Sequence, residues 1–545
     1  MDINVQQTPV DEPVAELNIA VLGEIVNAVN RQVAGGSELQ DSKFLLNSAY
    51  KIALERLHKI LGSRNSASWL LEAYKQLFMW TAVYRKGLMP WQHFDASESL
   101  APIGRYGWRY AIDYCLSKSS PQSLQNGKPN CEDVSKVFSI LAVMTISAEW
   151  SNLIHYFPDV YGDVTFDLSK PEGILFPILS EEALGKVSNR SDYMLKKEGE
   201  AWTKFSGFEG DYDDDHLKPK LSSALLESKG FDLDQLERFI DILLHNVLSS
   251  GWVLVIPGGY LIDWISEEGD MEKNVVIKIL DFMLLSADAL VNKNRDFLNK
   301  KDQVRMINFS GVRIDRLKNL KSIYPKEAVH KPHIKKASWH AIMNIFMVAE
   351  WYDTFMHRCL VGQRQDLKAD PIFNKALEDI EQYQRRDIFE SLIGKIFASH
   401  GFNFIKGLKK WPNKQGSSVM LPCGEIDLLA YHEVSRILYV VECKCGAPAI
   451  DSRGYSQQYN DHFEQKKYHS KFKAKIDWVG ANLKGLSHLE HLGCGIVKCS
   501  PVQVVPVFVT RYPSIAKFYV DDYKVLTFAE LDDFLGGLLH EFSNK

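Results

Sequence analysis

The sequence predicts a multidomain chain in which a large, mainly α-helical N-terminal region, residues 1–375, precedes a C-terminal α/β domain, residues 376–545. Apolar residues recur at three- and four-residue spacing through most of the first region, the period of an amphipathic helix. Beyond residue 400 they form short runs rich in Val, Ile, Leu and Tyr, broken by polar turns, as strands do. With 545 residues, 46% hydrophobic and 24% charged, the chain has material for two to four domains and needs no covalent staples.

In the first region, Leu45–Leu61, Ala67–Tyr84, Val134–Tyr156, Leu233–Leu248, Lys273–Val291 and Ser338–Leu360 each read as a helix with an apolar stripe. The fourth has a start signal. Asp232 followed by Gln235 is a capping-box arrangement, and Leu236, Phe239, Ile240 and Leu243 continue as the buried face. Trp252–Gly259 reads as a strand and turn, without the lysine of a phosphate-cradling loop. The acidic run Glu209–His216 lacks the terminal Glu spacing of a calcium loop and reads as solvated. Residues 293–336 carry thirteen Lys or Arg against four Asp or Glu, a local balance of +9 within a net charge of −5. This basic segment, interleaved with Phe297, Phe309 and Tyr324, reads either as DNA-facing loops or as a solvated linker. No catalytic signature appears in residues 1–375, so a recognition, regulatory or oligomerisation role is expected there, with room for two subdomains.

The second region opens with an amphipathic helix, Arg385–Phe397, whose stripe is Ile388 or Phe389, Leu392, Ile393, Ile396 and Phe397. Gly401 is its expected stop, and Glu390 borders the stripe. A Gly-Phe strand, Gly401–Ile405, follows. In the next apolar run Glu425, Asp427 and Leu429 share one face, and in Leu438–Lys444 the residues Glu442 and Lys444 share one face, opposite Val441, Cys443 and Cys445. The polar segment His432–Arg436 is short enough to fold the two runs into a hairpin, which brings Asp427 beside Glu442. Two converging carboxylates repel unless a cation separates them, and hard oxygen donors favour Mg²⁺ or Mn²⁺ over zinc. An acid-x-Lys triplet is weak on its own, since Asp41-x-Lys43, Glu464-x-Lys466 and Asp522-x-Lys524 also occur. Glu442-x-Lys444 differs in ending an apolar strand that follows an acid-bearing strand.

Taken in order, the helix with an internal Glu, the Gly-Phe strand, GEIDLLA (Gly424–Ala430) and VVECK (Val440–Lys444) resemble the PD-(D/E)xK restriction-endonuclease-like superfamily. The nearest flavour is the branch of Type IV restriction enzymes, Holliday-junction resolvases and nuclease-related domains. The likeness covers roughly residues 380–530. It implies a restriction-endonuclease-like α/β domain with a mixed central sheet, and metal-dependent hydrolysis of phosphodiesters, with DNA the expected substrate. It further implies Asp427 and Glu442 as metal ligands, the carbonyl of Cys443 as a third donor, Lys444 as the catalytic lysine, and Glu390 as an acid supporting the metal or its waters. Ile426 stands where the family's nominal Pro would be. Glu425 is a weaker candidate.

The polar stretch Asp451–Lys475 contains Gln457, Gln458, His462, Gln465 and the basic run Lys466, Lys467, Lys471, Lys473 and Lys475 before the apolar Ile476–Val479. Gln458, Lys466 and Lys467 there, with Lys409 and Lys410 ahead of the acid strand, are candidate nucleic-acid contacts; Lys406 and Lys414 would add to that patch. The competing reading of each lysine is a solvated face. Val502–Val509 reads as a buried strand and Val525–Leu539 as a closing helix.

Cys423, Cys443, Cys445, Cys494 and Cys499 contain no CxxC pair and read as small buried residues rather than a zinc site. Eight cysteines without a disulfide framework suit a reducing cytoplasm. Met1–Val21 carries Asp and Glu instead of a basic leader, and no uncharged apolar run is read as spanning a bilayer, so no membrane partner is expected. The expectation is a cytoplasmic, Mg²⁺-dependent endodeoxyribonuclease, Mn²⁺ substituting, with a homo-oligomer or a defence-system protein as partner. Fusion of a nuclease to an unfamiliar helical region points to restriction or anti-phage defence; repair or recombination, and a catalytically silent nucleic-acid- or partner-binding module, are the alternatives.

Overall fold

The computed structural model describes residues 16–34, 42–63, 66–84, 100–118, 129–206, 214–247, 253–286, 311–315, 337–360, 367–412, 418–446, 449, 452–483 and 503–543. Most of the basic segment 293–336 and of the acidic run 209–216 lies outside these residues, as do Lys414, Cys494 and Cys499. The chain divides into two compact units. The first is Met1–His155, Asp163–Leu179 and Lys218–Leu377; the second is Tyr156–Gly162, Ser180–Leu217 and Glu378–Lys545.

The first unit is dominated by helices, among them Ile19–Ala34, Ser42–Ser63, Ser66–Tyr84, Ala101–Lys118 and Cys131–Tyr156. Trp69, Trp80, Trp108, Phe78 and Phe138 are wholly buried between them, each such side chain contributing roughly 1.5–3 kcal/mol by leaving water. Cys131–Tyr156 is long and apolar enough to cross a bilayer by length and composition, and 56% of its apolar window is buried inside the protein, as in a core helix. The capping box at Asp232 forms as expected, Gln235 N–H donating to Asp232 Oδ1 at 2.8 Å and Asp232 N–H to Gln235 Oε1 at 3.0 Å.

Two of the expected helices are partly strand. Lys273–Met283 is helical but Leu284–Ser286 pairs in a sheet, and Trp339–Asn344 is a strand that precedes helix Ile345–Leu360. With Val253–Pro257 and Gly311–Asp315 they make a four-stranded mixed sheet. Short apolar runs satisfy a buried strand as well as a helix turn, so periodicity does not separate them. Val253–Pro257 leads into a helix, Gly258–Gly269, where a turn was expected.

The second unit is built on a five-stranded sheet. Its strands are β1 (Asn403–Leu408), β2 (Ile426–His432), β3 (Ile437–Lys444), β4 (Gln503–Thr510) and β5 (Lys524–Thr527), and they lie side by side in that order. The first three pair antiparallel and the last three parallel, which makes the sheet mixed. Helices α1 (Glu390–Ser399) and α4 (Phe528–Ser543) cover one face, burying Leu392, Ile393 and Phe397 with Leu531 and Leu535 against Leu428, Tyr439, Val441 and Val507. The other face packs Leu429, Leu438, Val440 and Phe508 against Phe472 and Val479 of α3 (Tyr468–Ala481), which follows α2 (Ser452–Tyr459). The expected closing helix begins only at Phe528. Lys524–Thr527 is a strand because its Val and Thr pair with β4, and Thr527 starts the helix with its N–H donating to Glu530 at 2.8 Å.

Candidate metal and phosphodiester site

The antiparallel register of β2 and β3 runs Leu428↔Val441, Leu429↔Val440 and onward to His432↔Ile437. Arg436, at φ +57°, closes the turn with its N–H on the carbonyl of His432 at 2.9 Å. Continuing the register places Asp427 opposite Glu442, where the ladder ends. There the carboxylate replaces a main-chain acceptor: Cys443 N–H donates to Asp427 Oδ2 at 2.8 Å. Asp427 and Glu442 are both buried.

Lys444 Nζ lies 2.6 Å from Glu442 Oε1, 3.5 Å from Asp427 Oδ2 and 3.1 Å from the Cys443 carbonyl oxygen. The acid-x-Lys spacing on one strand face therefore delivers the amine to both carboxylates and to the carbonyl expected as a third donor. Burial pulls the Lys444 pKa down, but the charges of Glu442 and Asp427 outweigh it and hold the pKa above the ordinary lysine value. As it stands the group is a positive charge and hydrogen-bond donor, packed over Tyr468 at 5.1 Å from the ring centre.

Glu390 opens α1, immediately after a wider π-helical turn at Tyr383–Phe389, and its side chain is 2% exposed. Oε1 lies 3.5 Å from Arg385 Nε, while Oε2 has no hydrogen-bond partner. Burial, then the negative charge of Asp427, push its pKa up to about 7 against the opposing charge of Arg385. Glu390 is therefore close enough to Asp427 to feel its charge. Arg386 pairs with Glu425 at 2.9 Å, which makes Glu425 part of a rim ion pair.

Of the remaining candidates, Lys466 lies over the same Tyr468 ring as Lys444, 5.7 Å from its centre. Gln458 is occupied structurally, donating to the carbonyl of Pro513 at 3.4 Å and accepting from Ile515 N–H at 3.1 Å. Lys466 pairs with Asp461 at 2.6 Å, and Lys467, at φ +54°, is exposed at the start of α3. Lys409 and Lys410 are exposed, Lys409 standing 3.8 Å from Glu425. Cys443 is buried, and burial raises its thiol pKa well above the ordinary value, so its sulfur is inert packing.

One residue at the site was seen only as part of a basic run. Lys475, on α3, reaches Glu442 Oε2 in a buried ion pair. Its signal was its spacing: it falls on the helix face between Phe472 and Val479, an interior position that lysine takes only when paired.

Among the described residues, no three His, Cys, Asp or Glu side chains gather closely enough to hold a metal by themselves. The donor set still fits Mg²⁺, which takes one or two carboxylates and keeps several waters. Asp427, Glu442 and the Cys443 carbonyl supply hard oxygens, and the partnerless Oε2 of Glu390 is a buried acceptor that a bound water would satisfy. No family model, curated protein or solved structure matches the chain.

Proposed function

We propose that the second unit is a metal-dependent phosphodiesterase acting on nucleic acid, with DNA the substrate to test first. The observation that carries this reading is the meeting of Asp427, Glu442, the Cys443 carbonyl and Lys444 at the end of one hairpin, three oxygen donors and an ammonium around one point. Asp427 and Glu442 with the Cys443 carbonyl would hold Mg²⁺, or Mn²⁺ in its place, and Glu390 would accept from a water beside it. When bound, such a cation lowers the pKa of water and offsets charge building on phosphorus. Lys444, kept charged by its two carboxylates, orients the nucleophile and stabilises the phosphate oxygens; Asp427 keeps the end of β3 in place through Cys443 N–H. Fixed charges aimed at the transition state account for most of the acceleration such a site achieves. Cytoplasmic restriction or anti-phage defence, with the first unit as sensor, is the setting proposed by analogy of architecture alone.

A second reading rests on one observation. Both oxygens of Glu442 already carry a lysine, so the cluster is also a balanced buried ion group that a non-cleaving binding module could keep. The two separate on incubating the full chain with supercoiled plasmid, single-stranded DNA and RNA in Mg²⁺, Mn²⁺ or EDTA. Metal-dependent, EDTA-sensitive cleavage of any of them is expected; intact substrates in every condition would refute the enzyme.

A further inference from the structure

Lys475 is 8% exposed and comes from α3, an element separate from the hairpin that carries the acids. It meets one oxygen of Glu442 while Lys444 holds the other at 2.6 Å. Lys444 has further acceptors in Asp427 and the Cys443 carbonyl, so it can turn away from Glu442 and remain paired. The structure shows one carboxylate against Lys475, and a lysine ammonium left buried without one is strongly unfavourable. A cation that takes Oε2 of Glu442, or both its oxygens, must therefore displace the Lys475 ammonium, and one that takes Oε1 alone meets the Lys475 charge across the same carboxylate.

We infer that Lys475 is an internal counter-ion that competes with the divalent cation for Glu442, setting how tightly the site takes up metal and tying that uptake to an incoming phosphate. This rests on the metal-dependent reading above and adds to it. With a phosphodiester present the Lys475 ammonium gains a second negative partner, so metal and nucleic acid favour one another's binding; without it, metal binding weakens or breaks the Lys475–Glu442 pair. By linkage the coupling works equally in both directions. Lys475 acts through Glu442 and is a positioning residue.

The test is equilibrium uptake of Mn²⁺ by the full-length protein without nucleic acid, read from the electron paramagnetic resonance signal of free Mn²⁺. Wild type is compared with Lys475→Met, Lys475→Arg and Asp427→Asn, each checked by circular dichroism and thermal melting. Lys475→Gln replaces the Met variant should that fail to fold. Removing the competing charge is expected to tighten Mn²⁺ binding by roughly tenfold or more, the scale on which groups contacting metal ligands change affinity. Lys475→Arg, which keeps the charge, should stay near wild type, and Asp427→Asn should lose the site. Folded Lys475→Met protein that binds Mn²⁺ no tighter than a wild type with a measurable site would overturn this proposal alone. Absence of uptake by both would overturn it together with the metal-site reading.

Discussion

Glu390 is the residue at which burial and function are in most direct conflict. Its pKa of about 7 lies above the roughly 4.3 of a free glutamate, so between those values the folded protein binds a proton that the unfolded chain does not. Stability from this group is therefore complete below about pH 4.3 and declines as pH rises through 7. In EDTA, Glu390→Gln should be more stable than wild type at pH 8, by roughly 3–4 kcal/mol, and nearly match it at pH 4. Thermal melts at the two pH values check this; a difference independent of pH would contradict it. Glu442 is the converse case. Glu442→Gln leaves the Lys475 charge buried and should cost about 3–5 kcal/mol, which Glu442→Gln/Lys475→Met should largely recover. Chemical denaturation of the two variants measures the recovery. Asp427 and Lys444 are readable in the letters because alternation along a strand is strict, whereas the sign of Lys475, its three- and four-residue spacing from Phe472 and Val479, is easily lost among the neighbouring lysines.

At the scale of elements, the site depends on the join between α1 and β1. Gly401, at φ +79°, ends the helix, its N–H donating to the Ala398 carbonyl at 3.0 Å while Phe402 N–H reaches that of Phe397 at 3.1 Å. A side chain in this left-handed conformation costs about 1–2 kcal/mol, so Gly401→Ala should lower the melting temperature by a few degrees. Because the join fixes how α1, which carries Glu390, meets β1, the same variant should reduce cleavage, measured beside wild type; unchanged melting would show that the turn tolerates a Cβ. The helix, the hairpin and its register were legible in advance because each carried local signals, a glycine stop, period-two alternation and a short polar turn. The strands Trp339–Asn344 and Lys524–Thr527 were not, since their pairing partners, not their own letters, made them strands.

For the whole molecule, the consequence is that the second unit is discontinuous. Tyr193, in helix Glu181–Ser206, donates to Glu530 at 2.8 Å and accepts from Lys517 at 3.0 Å, and Arg190 reaches the Tyr519 hydroxyl at 2.7 Å. Nothing local in Glu181–Ser206 announces these contacts, which join positions more than 300 residues apart. A fragment of residues 376–545 lacks these partners. Its Ile515–Phe518 and Phe528–Ser543 amides should exchange with deuterium faster than in the full chain; equal protection would show that the fragment needs no outside support. The central claim, that the hairpin end is a metal-dependent hydrolytic site, is tested most directly by cleavage rates of Asp427→Asn and wild type on the substrate cut fastest. Asparagine retains an acceptor for Cys443 N–H, so folding should be spared. A fall of about 100-fold or more in the EDTA-sensitive rate, with an unchanged melting temperature, is the predicted result; cleavage at the wild-type rate would contradict the account.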